Sequence, residues 1–252
     1  MSDDVSFRRR EFKGSRLRCL MATSFSDREV AGFLNQIVQP HAQVSAADTW
    51  QPRGLLEGAE ARLGEAAAFL TADQRDALTA WWLTVRERAN TPNWDIVSTC
   101  QVDGRQGLVI VEAKAHRGEL HRDGKDPGNS ENDKCISAAV AAANDALGGA
   151  AAGWSLCTDT HYQLCNRFAW AWKVASLGVP VILVYLGFLD ADEMGDGALP
   201  TPEAWRACLL AHADGVVPPG AWDQRLPAGK SWFVPIIRAA RVSAFAVEPS
   251  HA

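Results

Sequence analysis

Asp95, Glu112 and Lys114 are the residues of this sequence whose types and spacing suit chemistry. They end two β-rich runs, Asp95 to Val102 and Gln106 to Lys114, separated by Asp103 and Gly104, a pair suited to a two-residue type I′ turn. That turn sets Val102 against Arg105, so opposed residue numbers sum to 207 and Asp95 faces Glu112 with β-carbons roughly 5 Å apart. Val97 with Ile110 and Thr99 with Leu108 share that face, while Ile96, Val102, Val109 and Val111 point to the other. Two carboxylates between largely apolar surfaces repel and lose hydration, a conflict that a divalent cation would relieve. Strand alternation puts Lys114 on the face of Glu112 and leaves the Ala113 carbonyl as one more hard oxygen. A lysine there can orient an attacking water and stabilise charge on a phosphate. The competing reading makes Lys114 a salt bridge to the two acids and nothing more.

The flanking elements follow from punctuation and period. A helix is expected over Asp27 to Gln39, ended by Pro40, and another over Gly54 to Leu70 carrying Glu57, Glu60 and Glu65. Thr71 and Gln74 form a capping box for a third, with Leu78, Trp81, Trp82 and Val85 on its inner stripe and a stop at Thr91-Pro92. After the hairpin and a polar loop from His116 to Asn129, Ser130 opens a helix with Ile136, Ala139, Val140, Ala143 and Leu147 inward, ended at Gly148-Gly149. Thr160, boxed with Gln163, starts the next, with Leu164, Phe168, Ala171, Trp172 and Ala175 inward, a separate stripe of Gln163, Arg167 and Trp170, and Gly178 as its cap. Val179 to Phe188 reads as a central strand covered on both faces, and together these elements describe an α/β sandwich. Beyond Asp190, a helix near Glu203 to His212 precedes irregular, tryptophan-containing chain.

At 252 residues and 47% hydrophobic the chain can bury one sizeable core, and no apolar run approaches the roughly 20 residues that cross a bilayer. No signal-like apolar stretch follows Arg8, Arg9 and Arg10, so a cytoplasmic location is expected. The six cysteines contain no CxxC pair and are expected as reduced, mostly buried thiols. A net charge of −5 excludes a long-range pull onto nucleic acid, leaving a local basic stretch of Arg8, Arg9, Arg10, Lys13, Arg16 and Arg18, for which a solvated tail is the favoured reading over a binding arm.

Asp95 followed by Gly107-Leu-Val-Ile-Val-Glu-Ala-Lys114 resembles the PD-(D/E)XK nuclease superfamily, over roughly residues 55 to 190. The resemblance implies a restriction-endonuclease-like αβββαβ core with a central mixed sheet flanked by helices, Asp95 and Glu112 as metal ligands, and Lys114 as the catalytic lysine. It also implies magnesium, replaceable by manganese, and DNA as substrate. Two departures stand out: the first motif reads Pro92-Asn-Trp-Asp95, and no first core strand is evident before it. The chain then divides into an N-terminal extension (1–50), the core (51–190) and a C-terminal extension (191–252). A helix acid, Glu65 or its neighbours Glu57 and Glu60, together with Gln163 and Arg167, are secondary site candidates; the glutamates are set against an ordinary solvated role and Gln163 against its capping box, while local structure offers Arg167 no other role. His116 is a further candidate for proton transfer, or else an unremarkable loop residue. The rival functions are a nuclease-derived binding or scaffold module, and a metal-dependent hydrolase of a small phosphorylated molecule.

Overall fold

A computed structural model of the protein describes residues 13–87 and 89–242; the arginines at 8 to 10 lie outside them. In chain order the elements are α1 (Gly14–Ala22), α2 (Asp27–Val38), β1 (Trp50–Gln51), β2 (Ala61–Arg62), α3 (Ala72–Trp82), β3 (Asn93–Trp94), β4 (Ile96–Val102) and β5 (Arg105–Lys114). There follow α4 (Ser130–Ala150), α5 (Tyr162–Ser176), β6 (Val181–Phe188), α6 (Pro202–Ala213), β7 (Leu226–Ala228) and β8 (Ser231–Ala240). The fold is α/β. A mixed sheet in the order β1-β4-β5-β6-β8-β7 lies between helices, and β2 and β3 form a separate short ladder.

The β4/β5 hairpin has the expected register, from Val102 against Arg105 to Ile96 against Val111. Asp103 and Gly104 turn it with φ of 50° and 73°, the left-handed pair that a type I′ turn requires. Its two faces feed two cores. Val97, Leu108 and Ile110 pack with α3, α4, α5 and α6, while Ile96, Cys100, Val109 and Val111 pack with α1 and α2. β6 pairs parallel with both β5 and β8, and every residue of β6 is buried. That accounts for its unbroken apolar run. At Gly187 the Trp205 ring lies flat against the strand, with its Cγ 2.5 Å from where a β-carbon would stand.

Several expectations need correcting. Residues 54–70 form turns and the two-residue β2 in place of a helix. Gly64 sits where a β-carbon would be 2.6 Å from Thr79 Oγ1, so this stretch is packed by close backbone approach. The Thr71–Gln74 capping box forms, but α3 stops at Trp82. The chain beyond it is held extended by Asn132 of α4, whose side-chain amide donates to Val85 O and accepts from Val85 N, both at 2.8 Å. α4 runs through the glycines to Ala150. α5 starts at Tyr162 on a left-handed His161 (φ 50°) with no side-chain cap, because the Thr160 carbonyl and hydroxyl lie against the thiols of Cys157 and Cys165.

The two ends of the chain are more than appendages. α1 packs against β5, and the stretch after α6, expected to be irregular, supplies β7 and the ten-residue β8 to the main sheet. The basic residues Arg16 and Arg18 are drawn into pairs with Glu60 and Glu193 and do not form a free basic arm. The missing first strand is present as β1, Trp50–Gln51, antiparallel to β4. All six cysteines are free thiols, and Cys19, Cys100 and Cys165 are buried. Among the described residues no helix is long and apolar enough to cross a membrane.

Gly104 and Gly187 separate conformational from packing effects. A β-carbon at Gly104 meets nothing within 4 Å, so Gly104→Ala should destabilise only through its positive φ, by about 1 kcal/mol. Gly187→Ala drives a methyl into a buried indole and should cost about 1–3 kcal/mol. Urea unfolding midpoints check both, and equal losses would contradict this division.

Candidate active site

The C-terminal end of β5 runs beside the C-terminal end of β6, with Glu112 opposite Tyr185 and Lys114 opposite Gly187. Parallel strand ends of this kind are where open α/β sheets form crevices. Continuing the hairpin pairing one step past Ile96 and Val111 brings Asp95 to Glu112. Continuing the β2/β3 pairing past Ala61 and Trp94 brings Glu60 to Asp95 from the other side. These residues line one cavity of about 370 Å³ with Lys114, Gln163 and Arg167.

Glu112 is 1% exposed and Lys114 5%, yet the carboxylate is fully partnered. Lys114 Nζ donates to Oε1, and Arg167 Nε donates to Oε2 at 2.5 Å. The guanidinium also donates to Asn166 Oδ1 at 3.0 Å and lies over the Trp94 ring, 4.5 Å from its centroid. Burial alone would push the Glu112 carboxyl up, but Arg167 and then Lys114 outweigh it and hold it below the usual glutamate range. The same pair raises the Arg167 guanidinium against the opposing effect of burial. The conflict inferred from the sequence is therefore met by two cations of the chain itself.

Asp95 is left differently. Its Oδ2 accepts the Ala113 N–H at 2.7 Å, the one hydrogen bond that the described residues give it. Burial, and then the charge of Glu112, push its carboxyl up to about 7 despite Lys114 and the Ala113 amide. It is a half-buried acid at a cavity floor, short of positive charge.

The sequence candidates divide accordingly. Asp95, Glu112, Lys114, Gln163 and Arg167 come together. Arg167 belongs to no exposed polar stripe, because α5 is buried nearly all round and Trp170 packs edge-on against Trp81 and Trp82. Glu65 stands on a turn paired to Arg62 at 3.6 Å, outside the cavity, and of the two glutamates named with it Glu60 is the one that lines it. His116 is absent from the lining: its Nδ1 accepts the Gly118 N–H at 2.8 Å and caps the 3-10 turn Arg117–Glu119. That turn brings in what the sequence did not reveal, Glu119, whose Oε2 accepts the Ala115 N–H at 2.7 Å, and His121 on the rim. Ser15 of α1 and Asn93 of β3 complete the wall, and no local pattern marks any of the four. Among the described residues no group of three or more His, Cys, Asp and Glu side chains is gathered as a metal site.

The raised Asp95 carboxyl has a signed consequence. Between the ordinary aspartate value of 3.8 and about 7, the native state keeps a proton that the unfolded chain has released, so this group's contribution falls as pH rises through that window. Glu112, held below its ordinary 4.5, acts in the opposite sense, adding stability that is fully present above that value and lost as pH falls through its native one. Asn at 95 can still accept the Ala113 N–H. The stability difference between Asp95→Asn and the wild type should therefore grow from pH 4 to 7 and level off above, as followed by urea unfolding; a pH-independent difference would contradict the assignment. Taking the difference cancels the opposite trend from buried His212, whose imidazole burial holds down at about 4.

No protein-family model, curated protein or solved structure matches this chain, so a functional reading rests on the geometry of the site itself.

Proposed function

We propose that the protein is a metal-dependent phosphodiesterase acting on nucleic acid, and that its resemblance to the PD-(D/E)XK nucleases makes DNA the first substrate to test. The observation that carries this reading is the placement of Asp95 against Glu112, with Lys114 on the same face at the floor of an open polar cavity. The element order supports it too: β1, β4 and β5 antiparallel in sequence, then α4 and α5, then β6 parallel to β5. β1 is shorter than the resemblance implies, and β8 and β7 extend the sheet past β6.

The residues fit a divalent ion. Asp95 is an oxygen donor whose raised carboxyl marks a deficit of positive charge, and magnesium commonly binds through one or two carboxylates while keeping several waters. Asp95 and Glu112 would hold it, and it would supply Lewis-acid polarisation of a phosphate and a more acidic water. Lys114 presents a compact ammonium to the attacking water and to charge developing on the phosphate. Arg167 keeps Glu112 ionised and in place from behind, through a rigid fork that lysine would not reproduce. Gln163 contributes a neutral amide to the substrate wall.

One observation favours a non-catalytic binding module as the second reading: both oxygens of Glu112 already contact cations, so an ion must share them. Lys114→Ala separates the two. Arg167 remains on Glu112, so the variant should fold with a melting temperature close to the wild type. Magnesium- or manganese-dependent cleavage of single- and double-stranded DNA should drop by roughly 10²–10³-fold, the usual effect of removing one preorganised charge. Millimolar magnesium should raise the wild-type melting temperature, and Asp95→Asn should abolish that rise. A wild type that cleaves no nucleic acid and shows no metal-dependent shift would sink the proposal.

A further inference from the structure

The cavity over Asp95 and Lys114 opens into a larger one of about 940 Å³, with which it shares Asn93, His121, Gln163 and Arg167. That volume falls at the top of the roughly 300–1,000 Å³ typical of sites for small organic ligands. The larger cavity lies between the loop after α3, the loop 121–129 and the first turns of α4 and α5.

Its charges argue against a track for phosphates. Each described lysine or arginine that lines it has a carboxylate partner outside the lining: Arg62 with Glu65, Lys125 with Asp133, Arg167 with Glu112. The exposed acids Glu87, Asp123 and Asp126 also line it, so the net fixed charge around it is negative. What the cavity offers is amide chemistry. Arg62 donates to Asn93 Oδ1 at 2.7 Å and to Asn90 Oδ1 at 3.1 Å, fixing both side chains by their oxygens and leaving their NH₂ groups available as donors. The Asn129 oxygen is likewise used up by the backbone at the start of α4, at 3.0 Å and 3.2 Å. Leu83, Ile136 and Tyr162 add apolar and aromatic surface.

We infer that this cavity binds an unpaired nucleobase belonging to the nucleotide whose phosphodiester lies over Lys114. A neutral heterocycle rich in acceptors satisfies oriented amide donors and apolar contact together, and a net negative surround does not repel it. A base reaches such a cavity only out of the duplex stack, so the substrate is a single strand, a strand end or a small nucleotide diester. A chain of net charge −5 suits a substrate held by a base and one or two phosphates in place of a polyanion held along its length. The inference rests on the phosphodiesterase reading of the adjoining site.

The test is fluorescence anisotropy in EDTA with a mixed-sequence single-stranded oligonucleotide and an abasic strand of the same length, on wild type and Asn90→Asp. The abasic strand should bind the wild type about tenfold or more weakly, the usual worth of one accommodated base. Asp at 90 keeps the acceptor for Arg62 but loses the NH₂, so Asn90→Asp should weaken the normal strand and not the abasic one. Added charge alone would weaken both equally and would overturn the inference, as would equal binding of the two strands by the wild type. Competition by a dinucleoside monophosphate at concentrations near the oligonucleotide's own affinity assigns the site to a small diester, and its failure to compete assigns it to a strand. Magnesium-dependent hydrolysis of bis(p-nitrophenyl) phosphate, which has no base, reports on the adjoining site separately. Hydrolysis with no discrimination between strands removes the base site alone, whereas discrimination without hydrolysis removes the catalytic reading alone.

Discussion

The carboxylate of Glu112 sets the terms for everything around it. A buried acid with no partner would be held neutral or would destabilise the fold, and this one is clamped between an ammonium from its own strand and a guanidinium from α5. Satisfying it fixes the rotation of α5 about its axis, because Arg167 must point at the sheet while Phe168 and Ala171 face the core. It also fixes the depth at which α5 meets β5, and so where Gln163 meets the cavity. The ion pair therefore acts as much on geometry as on stability.

With Glu112 neutralised from within, the remaining electrostatic imbalance is concentrated on Asp95. Among the described residues, one backbone amide and the charges of Lys114 and Arg167, both already engaged by Glu112, are what the chain gives it. Charge is distributed unevenly across the site, with a saturated acid and a deficient one side by side at the cavity floor. That imbalance faces the open cavity, where a positively charged or proton-bearing species from solution can reach Asp95 without breaking any contact of the fold.

Much of this was legible in the residues. The hairpin register followed from Asp103-Gly104 and held to the last pair, because a two-residue turn leaves no freedom in the pairing that follows. The inward stripe of α4 and the buried strand β6 followed from period and composition, whereas the stripe of α3 stopped short of Val85 and α5 is buried well beyond its expected face. What escaped depended on contacts between distant residues. β1 and β2 are two-residue strands with no period to read, and they exist because β4 and β3 offer edges. Asn132 holds Val85, just past the end of α3, from 47 residues away. Arg167 stood out as a site candidate off the apolar face of its helix, but its partner did not, because helical spacing shows which side a residue is on and not whether a buried acid waits there. β8 was hidden by Pro235 and by half-buried polar ends, features that lower strand propensity without preventing a parallel pairing with β6.

The way α1 and α2 cover one face of the sheet bears on how the protein is made. Cys19 of α1 and Val30, Leu34 and Ile37 of α2 pack in one core with Ile182, Val184, Val234 and Ile236, which belong to β6 and β8. These helices are synthesised well before the strands that receive them. The nascent chain therefore carries an uncovered amphipathic helix until β6 and β8 follow, and the sheet cannot close on that side before β8 has emerged. Vectorial folding from the N-terminus is not open to this topology, and premature termination anywhere before β8 leaves that helical surface without its docking partner.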